Sequence, residues 1–455
     1  MTETTTRTDI VTTLRTSLTC PVHGPQDPDW ETVRRGWNLY VDQQPDAIVE
    51  PATVADVQQA VRLAASLDVP VTAQSNGHGA TEAMSGTVMI RAHRLRDLTI
   101  DSENRRARVG AGVKWTHLVQ ALAGSGLTGT PGSTDDLTVV GYHLGGGLPW
   151  FGRAYGPAAR WVRAWQVVRA DGSLAEVSAQ SDPELFWALG GGGGGLGIVT
   201  AVEIELLPAP QLTGGQLMWP AERAAEVLHA FAEATTTAPP ELTLWLWLIT
   251  FPPTEPFPPE LHGRSMMNLN VTHLGDPAAA ERLLAPLRAV PGLEVDTVAP
   301  LPISELSTVA NEPTEPLPVM DWSHFVADLD PDFQRGLLEV NTPSQDTAMI
   351  ACIRHLGGAL RDDSPTAVEP ITEGYLLFGF ALAATPADEQ RIHAHWRVLE
   401  DRLGAHLSER THLNMLGPDP DLARALTPET RQRLRQIKAA EDPHGVFRSH
   451  RPILA

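Results

Sequence analysis

The chain has 455 residues with 55 acidic and 34 basic side chains, a formal net charge of −21. That balance disfavours nucleic acid and anionic membrane as bulk partners. With 42% hydrophobic and 20% charged residues the composition is that of a globular protein, and the length predicts two or three domains.

Cys20 and Cys352 are the only cysteines, too few for a disulfide framework or a Cys-based metal centre. Met1 to Thr19 has no apolar core like that of a signal peptide. No run reaches the roughly 18–20 apolar residues that span a bilayer. A reducing cytoplasm is therefore expected. Lysine is almost absent, and arginine, alanine, glycine and proline are abundant, a bias of high-GC bacterial sequences.

Residues 1–40 are weakly patterned and read as an N-terminal arm. Ala47–Glu50 reads as a strand, and Thr53-Val-Ala-Asp56 as a capping box opening a helix to about Ala65. Val69–Ala73 reads as a second strand, closing a βαβ-like unit that runs into the turn Gln74–Ala80. Strands are predicted over Thr87–Arg91, Leu98–Asp101 and Arg106–Gly112, and a helix over Trp115–Ala123. Gly141 to Gly147 is glycine-rich. A hairpin is predicted around Ala170-Asp-Gly172, then a capped helix to Leu189, six glycines (Gly190–Gly195) and a strand over Ile198–Leu206. Beyond Pro208 helices are predicted over Ala221–Glu233, Pro277–Val290 and Ala387–Leu403. Strands are predicted over Leu242–Ile249, Met266–His273 and Glu373–Ala383, with Pro-rich loops at 239–259 and 312–318. This pattern predicts an antiparallel sheet with helices on one side.

Three small-residue loops carry the chemistry. In Ser75-Asn-Gly-His-Gly79, after a strand, backbone N–H groups can point into a phosphate-binding concavity. A histidine there can also attack an electrophilic carbon of a cofactor, although a surface turn with an ordinary histidine fits as well. Gly141-Tyr-His-Leu-Gly-Gly-Gly147 and Gly190–Gly195 with Leu196-Gly-Ile-Val-Thr200 suit close approach to a flat, extended ligand. No Gly-Lys-Ser/Thr occurs, and no Gly-x-Gly-x-x-Gly follows the first strand, which disfavours Walker and Rossmann nucleotide sites.

In this order the loops resemble berberine-bridge-enzyme-like flavoproteins of the vanillyl-alcohol-oxidase (PCMH-type FAD-binding) superfamily. The likeness runs from Pro45 to Pro452. It takes in Ala47–Thr53, the His78 turn, Leu144–Gly147, Arg153-Ala-Tyr-Gly156, Asp182–Leu189, Gly197–Thr200, Arg354–Ala359, Asn414 and Ile437–Arg448. The resemblance implies an α+β fold: an FAD-binding domain of two α+β subdomains plus a substrate domain whose antiparallel sheet is covered by helices. The boundaries it implies are 1–40 for the arm, 41–207 for the FAD domain, 208–407 for the substrate domain and 408–455 for a returning C-terminal segment.

It also implies FAD bound covalently through His78. Many relatives add a cysteine link before the triple glycine. Here Pro131-Gly-Ser-Thr-Asp-Asp-Leu137 has none, and Thr134 or Asp135 stands in that place, so a single attachment is expected. The implied cofactor-binding residues are Ser75, Asn76, Gly77, His78, Gly79, Thr134, Val139, Gly141, His143, Gly145, Gly146, Tyr155, Gly197, Ile198, Val199 and Asn414. His412 stands where relatives often place a tyrosine and is the candidate catalytic base, or else a polar residue shaping the pocket. Val139 is aligned with a position that governs oxygen access, or it is simple core packing. Arg160-Trp161, Val368–Thr372, Gly195 and Leu196 depart from the usual pattern.

On the substrate side, Trp219, Trp245, Trp247, Phe251, Trp322 and Phe325 are candidates for an apolar pocket. Asn268, Asn270, Asp321, His324, Glu373 and Tyr375 are polar candidates. The function expected is an FAD-dependent oxidase of a small apolar secondary metabolite, using O₂ and acting as a monomer or homodimer. The rivals are a sugar or lactol oxidase of the same family and a flavin-holding non-redox cyclase.

Overall fold

The computed structural model describes residues 7–251, 259–341, 349–418 and 421–453. The start of the expected arm and part of the Pro-rich 239–259 loop lie outside the described residues.

The first half builds two small sheets. The capping box forms as the sequence predicts. Thr53 Oγ1 accepts from Asp56 N at 3.2 Å, Asp56 Oδ2 accepts from Thr53 N at 2.9 Å, and the helix runs Val54–Ser66. Such a cap is worth about 1 kcal/mol. The helix joins Ala47–Val49 to Val71–Ala73, but the two strands are not neighbours. Both pair in parallel with Val88–Ile90, which lies between them. A five-stranded antiparallel sheet follows, in the order Leu98–Asp101, Arg106–Gly110, Ile198–Glu205, Val162–Val168, Leu174–Ser178.

The second half is one antiparallel sheet. Its long strands are Leu212–Pro220, Ser265–Leu274, Leu242–Thr250, Met349–His355, Tyr375–Leu382 and Val319–Val326, in that order. The period of two sets the two faces. Along Leu242–Thr250, Leu244 and Leu246 join the helix-covered core with Phe231, Leu284 and Trp396, while Trp245 and Trp247 point to the other side. Three of the long strands go beyond the sequence prediction. In Leu212–Pro220 two glycines and a terminal proline mask the alternation. In Val319–Val326, Asp321, Ser323 and Phe325 form one face and Met320 and Trp322 the other.

One apolar core draws on residues from Ile10 to Leu206 and again from Leu413 to Ile453. The helix Arg7–Ser17 contributes Ile10, Val11 and Leu14, so this part of the arm is integral to that core. The C-terminal helix Pro428–Glu441 returns to it through Leu434 and Ile437. Trp150 from the first half stacks on Trp245 of the large sheet, with ring centroids 3.5 Å apart. Such a pair adds about 0.5–1.5 kcal/mol beyond its area burial and ties the sheet to the loops opposite. No helix among the described residues is long and apolar enough to cross a membrane.

Candidate active site

A cavity of about 1160 Å³ lies between the small-residue loops and the free face of the large sheet. The loop wall is made by Gln74–Gly79, parts of 132–148, Gly193–Gly195, Gly197–Val199, Leu413–Met415 and Phe447–Arg451. The sequence builds this wall from glycine because the backbone elements touch one another. Gly145 is the clearest case: a Cβ there would lie 2.4 Å from Asn414 Nδ2. Asn414 in turn accepts from Gly147 N at 2.8 Å and donates to Tyr142 O at 3.4 Å, fixing the turn after the helix Val139–Leu144.

The C-terminal strap is locked from below. Lys438 Nζ donates to Gly195 O at 2.7 Å and Phe447 O at 2.9 Å and pairs with Asp442. Asp442 accepts from the N–H groups of Val446 and Phe447, each at 2.8 Å.

His78 sits in the turn after Val71–Ala73. Its ring stacks on Trp37, with centroids 4.0 Å apart and planes 12° from parallel. Trp37 is held by Trp37 N donating to Asn76 O at 2.9 Å and by its indole donating to Thr314 O at 3.0 Å. His78 Nε2 faces Asp136 Oδ2 at 3.8 Å. Asp136 also accepts from Asn76 Nδ2 at 2.7 Å and pairs with Lys114. Burial opposes ionisation of this carboxyl, but the nearby His78 and the bonds from Lys114 and Asn76 outweigh it and hold the group down at about 2.

The sheet wall is mixed. Met218, Ile249, Phe251, Ile350, Phe378 and Phe380 supply apolar surface. Between them Asn268 Oδ1, Asn270 Oδ1, Trp247 Nε1, Arg354 Nε, Asp321 Oδ1 and, from the loop wall, Tyr142 Oη are buried without a hydrogen-bond partner. Buried polar atoms are almost always paired, so these atoms offer hydrogen-bonding positions to whatever fills the cavity. Arg354 lies 4.1 Å over the Trp245 ring and 3.7 Å from Glu312. Asp321 fits because residue 417 is glycine: a Cβ there would be 1.6 Å from Asp321 Oδ1. Burial pushes the Asp321 carboxyl up to about 7, with Arg451 pulling weakly the other way.

Of the residues singled out from sequence, Ser75, Asn76, Gly77, His78, Gly79, Thr134, Gly141, Gly145, Gly197, Ile198, Val199 and Asn414 line the cavity. Five do not. His412 is the main correction. It lines a separate recess behind the glycine turn, and its Nδ1 accepts from Asn414 N at 3.2 Å. Burial and Arg354 lower its imidazole to about 4. It is placed to hold the Asn414 turn rather than to meet a substrate. His143 is buried under its own helix, with Nδ1 2.7 Å from Val139 O. Val139 points into the first core. Gly146 faces Val368 and His412, and Tyr155 packs edge-on to Phe151 and Trp161.

Among the substrate-side candidates, Trp247, Phe251, Asn268, Asn270 and Asp321 reach the cavity. Trp219 and Trp322 belong to the helix-covered core, and Tyr375 is bonded to Thr235 at 2.7 Å. Trp245 stacks behind the cavity, Phe325 joins a satellite core and His324 is bonded to Ser408 O. Glu373 accepts from Ser408 at 3.4 Å. Sequence reasoning missed Trp37, Asp136 and Arg354 as site residues. Trp37 lay in the unpatterned arm. An acidic residue in the loop where relatives carry a second anchor was a signal for Asp136.

The loop wall fits an adenine dinucleotide. It is long, glycine-lined and open to backbone donors. At one end Asn76 Oδ1 and His78 Nε2 are buried and unpaired, and Arg448 and Arg451 stand in the strap. The family comparison falls on this same wall. Residues 45–178 match the family described as FAD binding domain.

The fold of the whole chain is similar to that of solved structures at about a fifth sequence identity. BBE-like 1 of Physcomitrella patens superposes with a TM-score of 0.83 at 20% identity, covering 98% of each chain. The 6-hydroxy-D-nicotine oxidase of Arthrobacter nicotinovorans does so with 0.83 at 22%, covering 96% of this chain and 97% of its own. In sequence the chain is 28% identical over 281 residues to a xylooligosaccharide oxidase of Thermothelomyces thermophilus, covering 59% of this chain and 54% of the relative. The chain spans about half the length of the curated relatives it matches.

Proposed function

We propose that the chain is an FAD-dependent oxidoreductase that oxidises a small molecule and returns the electrons to dioxygen. Residues 41–207 and 408–455 form the cofactor unit and 208–407 the substrate unit. The observation that carries this reading is a cavity with a glycine-lined wall on one side and unpaired polar atoms on an apolar sheet face on the other.

FAD bound there supplies two-electron acceptance. His78 anchors the cofactor by a single covalent bond. The 75–79 backbone and the Arg448–Arg451 strap hold its phosphates, and Asn414 with the 145–147 turn holds the ring. Trp247 and Phe378 pack against the apolar part of the substrate, while Asn268, Asn270 and Arg354 orient its polar groups. Asp321 takes the hydroxyl or amine proton, since a carboxyl held near 7 is matched to that task at neutral pH.

The substrate is a compact metabolite with an apolar body. A sugar is the second reading, favoured by the two asparagine oxygens beside Trp247, a wall able to stack on a pyranose ring and bond its hydroxyls.

The test is anaerobic mixing of the yellow holoprotein with a panel of phenolic and terpenoid alcohols and oligosaccharides. Bleaching of the flavin by one series, followed by hydrogen peroxide on admitting air, is expected. A protein that takes up no FAD refutes the proposal. A flavin never bleached by either series favours a non-redox role.

A further inference from the structure

Asp136 is a better-built feature than a surface carboxylate needs. Its side chain is 12% exposed, yet three groups converge on it: Lys114 on Oδ1, and Asn76 and His78 on the side of Oδ2. Lys114 comes from the N-cap position of the helix Trp115–Leu122, and Asn76 and His78 from the turn after Val71–Ala73. Asn76 grips the same residue twice, donating also to Asp136 O at 3.2 Å. The carboxylate is thus fixed from two sides before it meets the histidine. His78 is fixed as well, by the parallel face of Trp37. Its Nε2 is buried and unpaired, while the side chain as a whole keeps 22% of its surface exposed. The remaining opening of the ring is therefore away from Nε2.

We propose that Asp136 is the positioning carboxylate of the flavin anchor: it accepts the Nε2 proton of His78 and so leaves Nδ1 as the nitrogen that bonds the cofactor. This rests on the covalent reading above. The 3.8 Å separation is about 1 Å longer than a hydrogen bond, a gap closed by a small turn of the ring in its own plane against Trp37. Such contacts are often long before the ligand is in place. A neutral imidazole carries one N–H and one lone pair, and the partner of one nitrogen decides which nitrogen is free.

The reaction balances as follows. The imidazole gives up its Nε2 proton, a C–H bond of the flavin 8α methyl is broken, and one C–N bond is formed. Two electrons and two protons leave, and dioxygen takes them up as hydrogen peroxide. While Nδ1 forms its bond the ring becomes cationic, and the carboxylate beside Nε2 stabilises that charge and accepts the proton. Lys114 on the other oxygen keeps Asp136 ionised until it takes that proton. In this chain an acidic residue of the loop that lacks the second, cysteine anchor thus serves the first one.

The experiment reconstitutes apoprotein with FAD and follows covalent incorporation by flavin fluorescence of the denatured polypeptide. FAD bound before denaturation is measured by absorbance. Wild type becomes fully labelled. His78→Ala binds FAD and releases all of it on denaturation. Asp136→Asn binds FAD and attaches it at least tenfold more slowly. Asp136→Glu, one methylene longer, attaches it at an intermediate rate.

Attachment by Asp136→Asn at the wild-type rate overturns the inference and leaves the covalent reading standing. Wild type that binds FAD and releases it on denaturation overturns both. If Asp136→Asn does not fold, Asp136→Glu decides, since attachment by it at the wild-type rate also overturns the inference.

Discussion

Asp442→Asn is expected to be the most damaging conservative change in the C-terminal segment. Asp442 has no exposed side-chain surface and Lys438 only 7%, so their ion pair is closed to water. The substitution leaves the shape but removes the charge, and the ammonium of Lys438 keeps only the carbonyls of Gly195 and Phe447. Removing one partner of a buried pair costs about 3–5 kcal/mol. Asp442 also accepts from Val446 N and Phe447 N, and one amide oxygen serves two donors poorly, adding about 1 kcal/mol. Lys438→Met should cost a similar amount for the mirror reason. In the double variant the charges leave together, so it should be more stable than the sum of the single losses by about 1–3 kcal/mol. Because the strap beyond Asp442 forms part of the cavity wall, FAD retention should fall in step. The assay is urea unfolding of the four apoproteins with parallel FAD titrations. Single losses below about 1 kcal/mol, or strict additivity, would refute the closed-pair reasoning.

Asp321→Asn should slow flavin reduction by substrate by about 10²–10⁴-fold and remove the rise of kcat/KM expected of wild type near pH 7; stopped-flow absorbance across pH checks both. Gly145→Ala drives a methyl into the Asn414 amide, so a lower FAD occupancy of purified protein is expected, with Gly194→Ala, open within 4 Å, as the milder comparison at a left-handed position. Acid should unfold the protein from neutrality downward. Burial lowers His143 and His412 to about 4, His450 to about 3 and His355 to about 2, against an unfolded value near 6.5. A depressed histidine stabilises fully above the unfolded value, and that stability is lost as pH falls toward the folded one. Urea midpoints at pH 8, 6, 5 and 4 should drop steeply below pH 6.5. A flat profile contradicts the burial.

Much of this architecture was legible because it is local. Thr53 and Asp56 announce a helix start, Ala170-Asp-Gly172 a hairpin, and the alternation around Trp245 and Trp247 a half-buried strand. The cofactor wall was legible because only glycine tolerates Asn414 pressed against position 145. What failed was non-local. The strand–helix–strand unit gave no sign that Val88–Ile90 would come between its strands. His412 was read by its place in a motif, yet two residues of rotation put its ring behind the turn while Asn414 faces the cavity. Trp37 covers the anchor from 41 positions away, and Arg354 reaches the cavity only because its strand pairs with Leu242–Thr250. Pairing register, unlike capping, is settled by the whole sheet.

The intact mass of denatured, purified protein puts the cofactor assignment to its most direct trial. A polypeptide heavier than its sequence by one FAD less two hydrogens is expected, with the added mass on the peptide that contains His78 and absent from His78→Ala. An unmodified polypeptide whose native form is colourless and takes up no added FAD would contradict the account.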